Sequence, residues 1–465
     1  MTVTLKQIAQ VSGITAFSNF TISNSGRCYV FNPATPIIIY ELGQGSTYPL
    51  VGLINGSNAQ LISSGLAGLD NSNPSPIWFV NAILTGGAVS TSAGLVPLYV
   101  VYNSSNNSIN YTNNIQPSSG SPQSFQDIVL DFQNQVAYLF YHSNTFSNAI
   151  IYAISFSNLS TLISSLQFPS TYTVAYITAT NAPSGFSING SALVYYNQVF
   201  YMNAIDGSGN LYIWVVSYSS ISWSSTFPSA PQAVGTLYAF GVGGLPPVVW
   251  GEIFLNYIVS GSSLQSEILI YAVANFNSTN RYFQSIAIYS FNLSNNTATL
   301  LYSLNNANAK ATAINMGGII VFAQLISGSM GAWTATVGTY DRNLNVYQSS
   351  QPFANVQDLS VSQGGYAIVV SGSSSSPTFT IYQILVDTTP AIQNLTYSGG
   401  TLTGTVVDST SGQPLANVTV FLIQLSSEGD NWASGSVIAT TTTNTSGGFS
   451  FNISQTGYYA VYAVP

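Results

Sequence analysis

Seven times along this chain an apolar, β-branched run ends in a Tyr or Phe and breaks into a polar turn rich in Asn and Ser. The runs are IIIYELG at Tyr40, YVVYNSS at Tyr102, YAISFSNLS at Phe156 and WVVSYSSIS at Tyr218. IAIYSFNLS at Phe291, TVGTYDRNLNVY at Tyr340 and FTIYQILVD at Tyr382 complete the series. They recur roughly every 40–75 residues, one small sheet of chain each. A unit of that size, strand and turn with no convincing helical periodicity, cannot bury its apolar face alone and must stack on its neighbours.

The repeat predicts an all-β fold whose main part, residues 13–387, is a β-propeller of about seven blades. Six or eight blades, or a large sandwich or solenoid, are the alternatives. Residues 1–12 are expected to form an N-terminal arm or the strand that closes the array. Hairpin turns that need φ > 0 favour Asn and Gly. Such turns fall at Asn197-Gln198, Asp206-Gly207-Ser208-Gly209-Asn210, LDFQNQVAYLFY and DRNLNVY. The Asp206–Asn210 segment resembles the D-x-x-G-N-x-Y turn of many propeller blades. Polar inserts at 104–122, 215–231 and 260–267 read as loops, where recognition residues concentrate.

Past a linker at 388–394 the pattern changes. LTGTVVDSTSGQPLANVTVFLIQL is followed by ATTTTNTSGGFSFNISQTGYYAVYAVP. Residues 395–465 resemble the carboxypeptidase-regulatory-like and collagen-adhesin B-type β-sandwich family, which carries G-x-V-x-D…G-x-P-L-x-x-V-x-V and T-x-x-x-G-x-F-x-F. The resemblance implies a C-terminal Ig-like β-sandwich serving as stalk, spacer or adhesion module. Some relatives form a Lys–Asn crosslink, but no lysine follows Lys310 here.

Charged residues make up only 4% of the chain, against roughly 25% in ordinary domains. Five are basic (Lys6, Arg27, Arg281, Lys310, Arg342), thirteen are acidic, and His142 is the single histidine, giving a net charge of −8. Ser, Thr, Asn, Gln and Tyr keep such a surface hydrated at any protonation state. Few carboxylates are available for acid to attack, so folding is expected to be nearly indifferent to pH from about 2 to 7. An acidic, hot, extracellular setting is the expected one.

Fourteen Asn-x-Ser/Thr sequons are candidate glycosylation sites: Asn19, Asn55, Asn103, Asn106, Asn110, Asn158, Asn189, Asn277, Asn292, Asn295, Asn394, Asn417, Asn444 and Asn452. Together with the missing charge they favour a glycosylated exterior. Cys28, alone, forms no internal disulfide and reads as a small buried hydrophobe. No apolar stretch approaches membrane-span length; the best, GGIIVFAQLISG, is strand-length. The N-terminus has no apolar h-region, so the expectation is either a leader already removed or exit within an assembled particle.

Chemistry has little to work with. His142 stands without a Gly-x-Ser-x-Gly elbow or a second histidine, and one His with one Cys makes no zinc site. Asp127 and Asp131, Glu252 and Glu267, and Asp70 are the carboxylates a glycosidase-type pair could use, and nothing marks any pair as convergent. Asp206-x-Ser208-x-Asn210 spaces oxygen ligands as calcium prefers, but the plain turn is the simpler reading. Neither catalytic residues, metal nor cofactor are therefore expected. Five scattered cations cannot track a phosphate backbone, which argues against nucleic acid.

Aromatics remain. Rings with polar tips stack on sugars and anchor interfaces, and Trp223 and Tyr111 are the ones expected on loops. The composition resembles that of envelope and virion surface proteins from thermoacidophilic archaea and their viruses. The functional expectation is a non-enzymatic virion spike or fibre that attaches to a host-cell glycan or envelope protein. It would contact other virion or surface-layer proteins and could be oligomeric. A cellular surface-layer or pilus-associated adhesin is the alternative, and an extracellular glycan-processing enzyme the third reading.

Overall fold

The computed structural model describes the strands between residues 3 and 112 and most strands and turns between 123 and 464. Apart from a helical turn at 156–158 and a 3-10 turn at Tyr218–Ser220, the described elements are β-strands. The first is β1 (Val3–Val11). The next strands pair in antiparallel sets of four. One comprises β2 (Asn19–Ile22), β3 (Cys28–Asn32), β4 (Ile37–Gly43) and β5 (Ser46–Ile54). The next comprises β6 (Ala59–Gly65), β7 (Ile77–Leu84), β8 (Leu95–Asn103) and β9 (Ser108–Thr112).

Then follow β10 (Gln123–Asp131), β11 (Val136–Ser143), β12 (Asn148–Ser155) and β13 (Thr173–Ala179). After these come β14 (Leu193–Tyr196), β15 (Val199–Ile205), β16 (Leu211–Ser217) and β17 (Ala233–Ala239). β18 (Val248–Ser260), β19 (Ser263–Asn277) and β20 (Tyr282–Asn292) lead into the long β21 (Thr297–Asn315). β21 belongs to two sets: 297–305 pair with β20, while 313–315 pair with β22 (Ile319–Ser329). Asn306 and Asn308, both at positive φ, lie between the two halves. β23 (Ala332–Asp341) and β24 (Val346–Ser349) complete that set.

β25 (Phe353–Ser362), β26 (Tyr366–Ser373) and β27 (Ser376–Val386) take their fourth strand from the other end of the chain. β1 pairs antiparallel with β27, Val3 opposite Val386 and Val11 opposite Phe379. The first strands of the sets touch in sequence, β2 with β6, β10 with β14, β14 with β18, β18 with β21 and β21 with β25. β25 then returns to β2. This is a propeller-like order of successive meanders, although the third and fourth sets are also joined at their last strands by a short parallel pairing of β13 with β17.

The seven aromatics of the repeat fall at one place in this order. Tyr40, Tyr102, Phe291, Tyr340 and Tyr382 lie in β4, β8, β20, β23 and β27, and Phe156 and Tyr218 directly follow β12 and β16. Each is the third strand of its set. Phe291 and Tyr340 are fully buried, whereas Phe156, Tyr218 and Tyr382 are half-buried.

Gly235 in β17 shows how closely side chains of the neighbouring strand β16 pack over its backbone. A β-carbon on it would overlap the Trp214 indole and Val216 Cγ2, and Trp214 is wholly buried. Gly235→Ala is expected to cost about 1–3 kcal/mol through overpacking. Chemical denaturation against wild type checks it, and an unchanged midpoint would mean that the indole can move aside.

Several sequence expectations are corrected. Residues 108–112 of the supposed 104–122 loop are β9, and most of 260–267 is the start of β19. Polar residues there belong to strands because backbone pairing, to β8 in the one case and to β18 in the other, holds them. Residues 390–394 are not linker but the start of β28 (Pro390–Ser398).

That strand opens the C-terminal unit. β28 pairs with β29 (Thr401–Asp408), followed in the chain by β30 (Thr419–Leu425), β31 (Ser436–Thr442), β32 (Gly448–Asn452) and β33 (Tyr458–Val464). Two three-stranded sheets, β28-β29-β32 and β31-β30-β33, share a core of Leu402, Val406, Val418, Val420, Leu422, Phe449 and Phe451. The alternating apolar positions of the two sequence motifs supply that core. Behind it, Tyr462 approaches Gly317 in the turn between β21 and β22. Burial pushes the Tyr462 phenol up to about 12.

The scarcity of charge does not mean that charge is idle: the buried carboxylates accept hydrogen bonds across the fold, which argues against the expected indifference to acid. Glu252 and Glu267 are 3% and 2% exposed, and Asp131, Asp206 and Asp341 are also buried. Each lies where acceptors are needed. Glu252 accepts the Ala313 N–H at 2.8 Å, joining β18 to β21. Glu267 takes Arg342 Nε at 3.0 Å and Nη2 at 3.2 Å, and Asn256 Nδ2 at 2.9 Å. Lys310 on β21 meets Asp358 on β25 at 2.7 Å, and the Tyr282 hydroxyl donates to the same carboxylate at 2.7 Å. Two of the five cations thus tie neighbouring sets together.

Candidate functional site

The richest candidate is an aromatic cluster between the β10–β13 and β14–β17 sets. Two short turns build its rim. In the β10–β11 turn Asp131 accepts the Asn134 N–H at 3.0 Å and its Nδ2 at 2.8 Å, and Gln135 takes positive φ. In the β14–β15 turn Asn197 and Gln198 have φ of 48° and 58°, the pair of positive angles that a tight hairpin demands. Asn134, Gln135, Asn197 and Gln198 are exposed. Below them the strands place Tyr138, Tyr195 and Phe200. The 3-10 turn and the segment after it bring Tyr218 and Trp223 from the far end of β16.

The rings interlock edge and tilt. Tyr138 lies 4.8 Å from Tyr195 and 5.0 Å from Phe200, and Tyr218 lies 5.3 Å from Trp223. Tyr138 and Phe200 are buried, whereas Tyr195, Tyr218 and Trp223 are half-buried and present part of each ring outward. The Tyr138 and Tyr195 hydroxyls are hydrogen-bonded to each other. Burial pushes the Tyr138 phenol far above the usual tyrosine range, and Tyr195, Tyr218 and the Asp131 carboxylate add to it. Burial raises Tyr195 as well. Both therefore stay protonated hydrogen-bonding groups, and the patch is neutral apart from Asp131.

Trp223 is not the projecting anchor expected of a polar turn. Its indole nitrogen is turned inward, without a hydrogen-bond partner, and its ring rests on Tyr138, Phe200 and Tyr218. Any external contact is through the ring. Tyr111, expected on a loop, lies within β9 opposite Val100. Sequence reasoning overlooked Tyr138, Tyr195 and Tyr218 as a group. The signal available was Tyr195-Tyr196 directly before the Asn197-Gln198 turn, an aromatic pair at a hairpin tip.

Three of the carboxylates read as possible catalysts, Asp131, Glu252 and Glu267, are held in structural hydrogen bonds. Glu252 stands opposite Tyr271 and Glu267 opposite Asn256, so the two do not converge. Asp131 holds its own turn, and His142 occupies β11 opposite Ala149 and Ser124. Asp127 lies in β10 beside a bulge. Asp70 is outside the described residues, as are Asn55, Asn106 and Asn189.

The calcium reading of Asp206 gives way to the turn. Its Oδ1 accepts the N–H groups of Ser208 (2.8 Å) and Asn210 (2.9 Å). Its Oδ2 accepts Asn210 Nδ2 (2.8 Å) and the Tyr212 hydroxyl (3.0 Å). Burial alone would raise this carboxyl, but the four donors outweigh it and hold the group below its ordinary value. A carboxylate saturated by protein donors has no lone pair left for a cation.

No protein-family model and no curated protein sequence matches the chain. Among solved structures it is similar to the WD40 domain of SCAP from fission yeast, at 6% identity and a TM-score of 0.41, covering 82% of this chain and 98% of that one. It is also similar to the Dos1 propeller, at 8% identity and 0.39, covering 82% and 95%. Drosophila Semaphorin 2a gives 11% identity and 0.39, covering 97% and 86%. Likenesses this distant carry no conclusion about what the chain does.

Proposed function

We propose that this chain is a non-catalytic recognition protein of a virion surface, a spike or fibre that attaches to a glycan or glycosylated envelope protein of its host. In this reading the sets of strands are the seven blades of a propeller closed by β1, and residues 390–464 are an Ig-like spacer of the carboxypeptidase-regulatory-like kind. The observation that carries the binding role is the half-buried Tyr195–Tyr218–Trp223 floor beneath a rim of exposed amides. Apolar ring faces beside neutral hydrogen-bonding groups suit a sugar, whose C–H face stacks on a ring while its hydroxyls meet polar tips. The near absence of charge supports a neutral ligand.

Glycan-array binding and host-envelope pull-down test it. Tyr218→Ala and Trp223→Ala are expected to weaken binding at least tenfold, since buried aromatic anchors contribute about 2 kcal/mol or more. Tyr195→Phe, which keeps the ring and removes the hydroxyl, should weaken it less. Circular dichroism guards against unfolding. Binding unaffected by both alanine variants overturns this site. Secretion and envelope genes beside the coding sequence, in place of capsid and packaging genes, would move the protein to the cellular-adhesin reading.

A further inference from the structure

The C-terminal unit carries a second polar feature that the aromatic site does not use. A shallow groove of about 540 Å3 runs where the edge strands β31 and β32 meet, lined by Thr403, Thr405, Thr441, Thr442, Asn444 and Ser450 among others. Every polar side chain lining it is a hydroxyl or an amide. Asn444 is at once a wall of this groove and the acceptor residue of the sequon Asn444-Thr445-Ser446.

The fold fixes that amide in one orientation. Asn444 Oδ1 accepts the Ser446 N–H at 3.0 Å, the Ser446 hydroxyl at 2.8 Å and the Gly448 N–H at 2.9 Å. All three bonds fall on the oxygen, and Nδ2 takes part in none of them. Asn444 is also exposed. Two other sequons differ. Asn158 Nδ2 donates to the Thr171 carbonyl at 3.0 Å, and Asn394 Nδ2 to Thr405 Oγ1 at 3.3 Å.

We infer that Asn444 is an N-glycosylation site whose first sugar lies in the adjoining hydroxyl groove. The co-reactant is a lipid-pyrophosphate-linked oligosaccharide. Asn444 Nδ2 forms the bond to its anomeric carbon, the carbon–oxygen bond to pyrophosphate breaks, the lipid pyrophosphate leaves and the nitrogen loses one proton. The product keeps every Oδ1 bond, because only the nitrogen is substituted. The sugar's neutral hydroxyls then face the neutral Thr and Ser hydroxyls of Thr403, Thr441 and Ser450, so no charge is desolvated. A seated sugar would also cover the edges of β31 and β32, which otherwise offer unpaired strands to another chain. The inference rests on the surface-protein reading only in needing passage through a glycosylating compartment.

The full chain is expressed in a eukaryotic secretory host and, separately, in a bacterial cytoplasm that does not glycosylate. Glycopeptide mass spectrometry should find the Asn444 peptide modified in the first product. Asn444→Gln should lower the melting temperature more in the glycosylated background than in the unglycosylated one, the excess being the sugar's own contribution. The double variant Thr403→Ala/Thr441→Ala should keep Asn444 occupied and abolish that excess. An unmodified Asn444 peptide overturns the site, and an equal effect of Asn444→Gln in both backgrounds overturns the seating. Glycan-array binding by the unglycosylated wild type is scored separately, so a failure here is distinguishable from failure of the attachment reading.

Discussion

Arg342→Met is expected to lower the unfolding free energy by about 3 kcal/mol, the low end for breaking a buried ion pair. The low end applies because the Arg342 side chain is 25% exposed while that of Glu267 is buried. The cost lies in the carboxylate left behind, held between sets with only Asn256 Nδ2 still donating to it. The double variant Arg342→Met/Glu267→Leu should therefore recover a large part of the loss, since neither charge remains to be desolvated. Denaturant melts of the single and double variants at neutral pH measure both. A single variant within about 0.5 kcal/mol of wild type would place the pair with ordinary surface ion pairs, which contribute little.

Asp206→Ala is expected to be comparably severe, about 2–3 kcal/mol, because it strips one acceptor group from four donors at once. The same carboxylate gives the chain an acid limb. Its folded-state value lies below the ordinary one, so its contribution is complete above about pH 4, the range in which an unfolded aspartate is ionised. It is lost as the pH falls through the folded-state value. The melting temperature should hold between pH 7 and 5 and decline below about 4. Asp206→Asn should flatten part of that decline. A wild-type melting temperature constant down to pH 2 would restore the expectation of acid indifference drawn from composition.

The two expectations differ for a physical reason. Counting charges measures how many groups acid can reach, whereas stability depends on where they sit. The chain has thirteen carboxylates in 465 residues, and the five that are buried among the described residues hold turns and seams. Sequence shows the number and not the burial.

Other features were legible because they are local. The alternation of each strand, the turn residues Asn197-Gln198 and Asp206–Asn210, and the motif positions that became the C-terminal core all follow from short-range chemistry. So does the recurrence of a large aromatic in or just after each third strand. The pairing of β1 with β27 belongs to the other class, because it joins residues at opposite ends of the repeat and only closure of the array brings them together. The aromatic floor belongs there too: Tyr138 comes from β11, Tyr195 from β14, and Tyr218 and Trp223 from the β16–β17 connection, and no periodicity announces that their rings will meet. Trp223 looked like an exposed anchor because its neighbours in sequence are polar, yet its neighbours in space are rings. Hydropathy and turn chemistry act over a few residues, so the sequence by itself determined the strands, their turns and the repeat. Which side chains converge depends on how separate sheets twist and pack, and that was decided only when the chain closed on itself.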